Sequence, residues 1–263
     1  MAAELFYVKS GPEDAPALLL VHPLGSSHEF WDECAAVWSK RFFVVAPDLR
    51  GAGQSPIPQQ SQNVNVHVRD LIALRETLGL TRVVPIGCAI GSVIATAYTA
   101  TDSGSVAALV LSNTTDRLGE ESRQRHESRL KLVAEKGMKA LLPTVVDMAF
   151  EGLPKDERYW RYLERFGKND PRGYAALALG MVGTDNAQAL STLTCPTLVV
   201  AGAHDILLPP ALSRGVHDRL KDSEFVEMAG AAHFAPYQAP EKFSALVSDF
   251  LRRRVETIGR EQT

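Results

Sequence analysis

A short glycine-flanked segment has the spacing of a turn that presents a nucleophile. Gly87-Cys88-Ala89-Ile90-Gly91 lies between a predicted strand and a predicted helix, the setting of the G-x-S-x-G turn, where the nucleophile stands on a strained backbone. We interpret Cys88 as this nucleophile, with a thiol in place of the usual hydroxyl. The alternative is a structural cysteine buried at a packed turn, because free cysteines are commonly buried.

Such a nucleophile needs a base, and the base needs a group that orients it. Asp205 comes shortly after the predicted strand at 197–201, and His233 follows the last predicted strand. The chain order of nucleophile, acid and histidine is that of one known class of triad. We therefore predict a triad of Cys88, Asp205 and His233, with Asp116 as the alternative acid.

The other histidines are weaker candidates for the base. Polar, helical surroundings predict solvated side chains for His67, His126 and His217. His204 adjoins Asp205, and neighbours on a short loop usually point apart. His233 is preferred because it alone lies in a loop after the final strand.

An acyl-transfer site also needs N–H donors directed at the developing oxyanion. The loop after the predicted strand at 17–21 contains Pro23 and Leu24. Proline has no N–H, so we predict Leu24 as the first donor and Ala89, which follows the candidate nucleophile, as the second. The alternative for the loop is a simple bend after a strand.

A group of arginines lies further along the chain. Arg117, Arg123, Arg125 and Arg129 fall within thirteen residues, and guanidinium groups bind carboxylates in a bidentate manner. A subset of them is predicted to hold a substrate carboxylate. The alternative is an ordinary solvated helix face.

The composition is that of a globular chain. Of 263 residues, 45% are apolar and 22% charged, with 28 Lys and Arg against 31 Asp and Glu, which excludes disordered, collagen-like and coiled-coil classes. A net charge of −3 argues against nucleic acid as a partner. The three cysteines have neither metal-site nor disulfide spacing.

Short apolar runs alternate with helical patterns, which predicts an α/β fold with a mostly parallel sheet flanked by helices. The predicted strands are 17–21, 42–46, 83–86, 107–111, 197–201 and 224–228, and the first helices are 68–78 and 90–100. Helical segments alone are predicted at 120–136, 138–150, 155–166 and 171–182. We therefore predict a core of residues 1–115 and 186–263 with a helical cap at 116–185, above the sheet edge where α/β folds bind ligands.

Five segments together resemble the α/β-hydrolase family: HPLGS at 22–26, DLRGAGQS at 48–55, GCAIG at 87–91, AGAHD at 201–205 and GAAHF at 230–234. Within that family the chain is most similar to the 3-oxoadipate enol-lactonases, in LVLSNTTDRLG at 109–119 and CPTLVVAGAHDILLPP at 195–210. The resemblance implies the triad named above, with cysteine replacing serine as in the dienelactone hydrolases. Two further departures are Pro23, where glycine is usual, and Pro85, which interrupts a predicted central strand and suggests a local bulge.

These residues predict a hydrolase for an activated ester or lactone that acts through an acyl-thioester on Cys88. Hydrolysis of a C–C bond, amide or thioester at the same site is an alternative, as is a non-catalytic ligand receptor on a hydrolase scaffold. The partner is predicted to be a small-molecule substrate, with no metal or organic cofactor. The first residues lack the pattern of a secretion signal and no apolar run is long enough to cross a bilayer, so we expect a cytoplasmic protein.

Overall fold

A seven-stranded sheet forms the centre of the computed structural model, which describes residues 2–255. Its spatial order is β1-β3-β2-β4-β5-β6-β7, and every neighbouring pair is parallel except β1 with β3. The strands are β1 Tyr7–Ser10, β2 Ala17–Val21, β3 Phe43–Pro47, β4 Val83–Cys88, β5 Leu109–Ser112, β6 Thr197–Gly202 and β7 Ser223–Met228. The predicted α/β architecture with a mostly parallel sheet is confirmed.

Helices connect the strands. They are α1 Asp32–Trp38, α2 Val64–Thr77, α3 Ile90–Thr101, α4 Glu120–Lys136, α5 Thr144–Ala149, α6 Glu157–Gly167, α7 Pro171–Gly180, α8 Ala187–Thr192, α9 Pro210–His217, α10 Ala235–Gln238 and α11 Pro240–Arg254. Helices α4 to α7 follow one another between β5 and α8, with no strand among them. The division into a core and a cap of residues 116–185 stays a prediction.

Three local features differ from the sequence expectations. Strand β1 was not predicted, because an edge strand of sequence YVKS, exposed along most of its length, has no apolar run. The helix predicted at 138–150 is a short 3-10 helix followed by α5, because Pro143 between them has no N–H to continue a helix. The bulge expected at Pro85 is absent, since β4 keeps an unbroken register with β2 and pairs with β5 only from Ile86 onward.

Helix α6 is tied to the core by ion pairs. Arg158 contacts Glu33 of α1 at 2.7 Å and Glu241 of α11 at 3.0 Å, and Arg161 contacts Glu33 at 3.0 Å. Arg165 adds a hydrogen bond of 3.0 Å to the backbone oxygen of Glu29. These contacts therefore fix α6 against α1 and α11.

Candidate active site

A strained turn joins β4 to α3. Ala89 is the single residue between them and has φ 51° and ψ −118°, a conformation that non-glycine residues rarely adopt and that concentrates at functional sites. A Cβ added at Gly87 would overlap the backbone oxygen of Gly91, and one at Gly91 would overlap the backbone oxygen of Val21. Both glycines are therefore needed for the close approach of strand and helix.

The structure contradicts the prediction that Cys88 is the nucleophile. In Gly87-Cys88-Ala89-Ile90-Gly91 the central position of the G-x-S-x-G pattern is Ala89, one residue later. Cys88 is the last residue of β4, is completely buried, and shares the core face of that strand with Val84 and Ile86, because alternate strand residues point to one side. Its Sγ lies 3.7 Å from the backbone oxygen of His233, and burial raises the pKa of the thiol well above its usual value. The buried structural cysteine is the interpretation that holds.

The methyl group of Ala89 carries no atom that can act as a nucleophile. Ala89 nevertheless lines the same cavity as His233. The turn thus keeps the backbone of a nucleophile elbow without the reactive side chain.

His233 and Asp205 form a hydrogen-bonded pair. The Nδ1 atom of His233 lies 3.0 and 3.1 Å from the two carboxylate oxygens of Asp205. An ionised carboxylate only accepts hydrogen bonds, so Nδ1–H donates to Asp205, and in the neutral imidazole the lone pair is then on Nε2. Because His233 also lines the cavity, this arrangement suits a general base.

Asp205 is held as a carboxylate by several donors. Burial works against its charge, but the charge and hydrogen bond of His233, with further hydrogen bonds from the Leu208 N–H and the Asn113 side chain, lower the pKa of this carboxyl below its usual value. The Leu207 and Leu208 N–H groups each donate to Oδ1 at 2.9 Å. The carboxylate is therefore fixed in orientation as well as in charge.

Asn113 is a site residue that the sequence reasoning missed. Its Nδ2 donates to Asp205 Oδ2 at 2.9 Å and to the backbone oxygen of Ala232 at 2.8 Å. It stands directly after β5 with φ 52°, a conformation that asparagine tolerates better than most residues, so its place after a predicted strand was the available signal. The alternative acid, Asp116, instead contacts Arg219 at 3.2 Å and Arg117 at 3.5 Å.

The two predicted oxyanion donors have different outcomes. Leu24 lines the cavity, and its loop is braced by buried His22, whose Nε2 accepts the Leu49 N–H at 2.9 Å. The Ala89 N–H donates to the backbone oxygen of Ser112 at 2.9 Å, so Ala89 is wrong as a donor. Ile90 is the first residue of α3, where a helix leaves N–H groups without an intrahelical acceptor, and it lines the cavity; Leu24 and Ile90 are the better pair.

The cavity has a volume of about 80 Å³. The residues of the strand–helix turns that line it are Leu24, Ala89, Ile90 and His233. The cavity roof, as we name it, consists of Ser122, Arg125, His126 and Arg129 of α4 together with Tyr162 of α6. Apolar side chains complete the wall, among them Val145, Phe166, Leu207, Leu208 and Phe234.

The four predicted arginines divide into two pairs. Arg125 and Arg129 are half-buried and line the cavity. Arg117 is exposed and contacts Asp116, and Arg123 contacts Glu120 at 3.2 Å on the surface. The subset that lines the cavity is therefore Arg125 and Arg129. Arg117 precedes α4, and helical periodicity places Arg123 off the face that carries the other two.

Two histidines predicted to be solvated are buried. His67 is 1% exposed and His126 is 8% exposed. Burial, followed by the neighbouring charges of Arg129 and Arg125, lowers the pKa of His126 to about 4. The polar sequence of α4 concealed one face directed inward.

Within residues 2–255, no three His, Cys, Asp or Glu side chains are grouped so as to hold a metal ion. In the same range, no helix combines the length and apolar character that a membrane span needs.

Comparison with known proteins adds the family context. A family model described as alpha/beta hydrolase fold matches residues 16–240. The 3-oxoadipate enol-lactonase 2 of Acinetobacter baylyi is 25% identical over 95% of this chain and 93% of its own length. A putative carbamate hydrolase RutD of Escherichia coli O81 is 28% identical over 89% of this chain and 90% of its own. The crystal structure of the enol-lactonase from Burkholderia xenovorans LB400 superposes with a TM-score of 0.90 at 25% identity, covering 95% of this chain and 97% of that one.

Proposed function

The chain belongs to the alpha/beta hydrolase fold family, and we propose that its site hydrolyses a small activated ester or lactone by direct attack of water, with His233 as general base. The observation that carries this proposal is the Asp205–His233 pair beside a nucleophile elbow occupied by Ala89. The base, its orienting acid and the candidate oxyanion donors are present, whereas the covalent nucleophile is replaced by a methyl group.

In the first step His233 Nε2 removes a proton from water while the water oxygen bonds to the carbonyl carbon. The carbonyl electron pair moves to its oxygen, which Leu24 and Ile90 N–H groups stabilise. The intermediate then reforms the carbonyl and breaks the bond to the leaving oxygen, which receives the proton from His233. The products are an acid and an alcohol or enol, and no acyl-enzyme forms.

Direct attack by water favours substrates with a good leaving group, because covalent catalysis no longer divides the reaction into two easier steps. An enol lactone has such a leaving group, since its enol is more acidic than an alcohol and rearranges to a ketone. Similarity to an enol-lactonase and to putative carbamate hydrolases supports an acyl substrate of this kind. The substrate panel therefore also includes compounds with a hydrolysable C–C bond, an amide or a thioester, which are the alternative reactions at the same site.

A non-catalytic ligand receptor is the second candidate, and the methyl group of Ala89 favours it. The ordered Asp205–His233 pair favours catalysis, because a binding site alone does not require an oriented imidazole with a free nitrogen.

The test is hydrolysis of an aryl ester and an enol lactone by the natural chain, His233→Ala and Cys88→Ala. We expect turnover that His233→Ala abolishes and Cys88→Ala retains. Intact-protein mass spectrometry during turnover should detect no acylated protein. An acyl adduct on Cys88 would overturn the water mechanism, and absence of turnover on the whole panel with retained ligand binding would support the receptor.

A further inference from the structure

Two guanidinium groups of the cavity roof have no acidic partner. Within residues 2–255, no carboxylate oxygen lies within 4 Å of Arg125 or Arg129, although most other arginines of α4 and α6 form such pairs. Burial, then the charge of Arg129, lowers the pKa of Arg125, and the negative charges of Glu121 and Asp205 offset this only in part. Arg129 has a hydrogen bond to the Tyr174 side chain. Two like charges on a half-buried surface are unfavourable unless an anion compensates them.

Three uncharged groups of the roof also lack partners. Ser122 Oγ, His126 Nδ1 and Tyr162 OH are buried and have no hydrogen-bond partner within the described chain. Buried polar atoms are nearly always hydrogen-bonded, so each such exception needs an explanation. All three side chains line the same cavity as the two arginines, and a polar ligand there would supply the missing partner.

Helical spacing brings the α4 groups together. Ser122, Arg125, His126 and Arg129 stand at positions i, i+3, i+4 and i+7, which form one helix face. The opposite face carries the surface pair of Arg123 with Glu120. The solvated-face alternative therefore describes Arg123 and fails for the residues directed at the cavity.

We propose that the cavity roof binds a carboxylate carried by the substrate, with Arg125 and Arg129 supplying the charge and Ser122, His126 and Tyr162 supplying further hydrogen bonds. The inference rests on the proposed function and narrows its substrate class to small esters or lactones that bear a free carboxylate. The carboxylate binds to the roof groups, and the scissile carbonyl binds beside Leu24, Ile90 and His233, which line the same cavity.

Binding without turnover tests the roof separately from catalysis. Glutarate and its neutral analogue glutaramide are titrated calorimetrically into the natural chain and into Arg125→Met, Arg129→Met and Arg123→Met, whose folding is checked by circular dichroism. We expect glutarate to bind more tightly than glutaramide, and either roof variant to weaken glutarate at least about 10-fold, as loss of a charge-assisted hydrogen bond predicts. Arg123→Met, from the opposite face of the same helix, should bind glutarate like the natural chain.

Equal binding of glutarate and glutaramide, or equal loss in Arg123→Met, would overturn the roof assignment. Should a methionine variant fail to fold, the glutamine variant at that position, which also removes the positive charge, replaces it in the comparison.

Kinetics separate the two proposals. The roof variants should raise KM for an aryl ester with a free carboxylate far more than KM for a neutral aryl ester. Arg123→Met, whose side chain lies outside the cavity, should leave the kinetics of both esters unchanged. Absence of turnover with intact, arginine-dependent glutarate binding would refute the water mechanism and leave the carboxylate site supported. Turnover with no preference for substrates that bear a carboxylate would refute the carboxylate site and leave the water mechanism supported.

Discussion

Ala89→Ser should turn this site into one that forms a covalent intermediate. The substitution adds one hydroxyl at the residue that already has the elbow conformation, φ 51° and ψ −118°, and that lines the cavity with His233. His233 Nε2 is free to accept the new hydroxyl proton, because Nδ1 is engaged by Asp205 at 3.0 Å. The variant therefore contains nucleophile, acid and histidine in the chain order of a serine triad.

The expected increase in kcat follows from the loss that the reverse change causes. Removal of a triad serine lowers kcat by several orders of magnitude in a well-evolved hydrolase. Adding a serine to a site whose surroundings are not adapted to it should restore part of that factor. We expect kcat for an aryl ester to rise at least about 100-fold, or about 2.7 kcal/mol of barrier. Stability should stay within about 0.5 kcal/mol, because alanine and serine bear the same backbone strain.

The assay is stopped-flow release of 4-nitrophenol together with labelling by a fluorophosphonate and peptide mapping. Ala89→Ser should give a burst and a label on residue 89, and the natural chain should give neither. Cys88→Ser is the matched control, since its hydroxyl would lie on the core face of β4 and should remain unlabelled. A label on Cys88→Ser, or a folded Ala89→Ser with neither burst nor label, would refute the placement of the elbow.

Three further outcomes follow from burial and charge. A brief iodoacetamide pulse should modify partly exposed Cys195 before Cys34, whose pKa burial raises to about 12, and before buried Cys88; peptide mapping that finds Cys88 labelled first would contradict this. Burial lowers the pKa of His67 from 6.5 to about 4, so the unfolded chain binds a proton more readily than the folded one between these values. The free energy of unfolding should therefore fall by about 2 kcal/mol through His67 alone between pH 7 and pH 5. In denaturant melts, His67→Leu should show a fall smaller by this amount than the natural chain. Arg158→Met should lower the free energy of unfolding by about 1 kcal/mol or less in dilute buffer, and melts in about 1 M salt should show a smaller difference.

The parallel sheet was predictable from sequence because its central strands are buried on both faces and appear as continuous apolar runs. The acid and histidine were predictable for a related reason: Asp205 and His233 follow strands whose carboxyl ends meet at one sheet edge. Neither inference needed a long-range distance.

The predicted position of the nucleophile was wrong by one residue. Cys88 is the more reactive residue type, but the strand pleat directs it into the core and leaves Ala89 at the turn. The unpartnered polar atoms of the roof could not be predicted from the sequence either, because α4 is polar on both faces. Only the fold shows that the Ser122 and His126 side chains are buried. Composition cannot distinguish a solvated polar face from one that encloses a cavity.

The contact between Gly91 and the end of β2 has a consequence for how this protein can change its substrate. Because no side chain fits between Gly91 and the Val21 backbone, α3 and the loop bearing Leu24 share one rigid backbone frame, and the spacing of their N–H groups is independent of what fills the cavity. The roof belongs to helices outside that frame. Replacement of roof side chains can therefore change the substrate specificity while the backbone frame that carries the N–H donors stays the same.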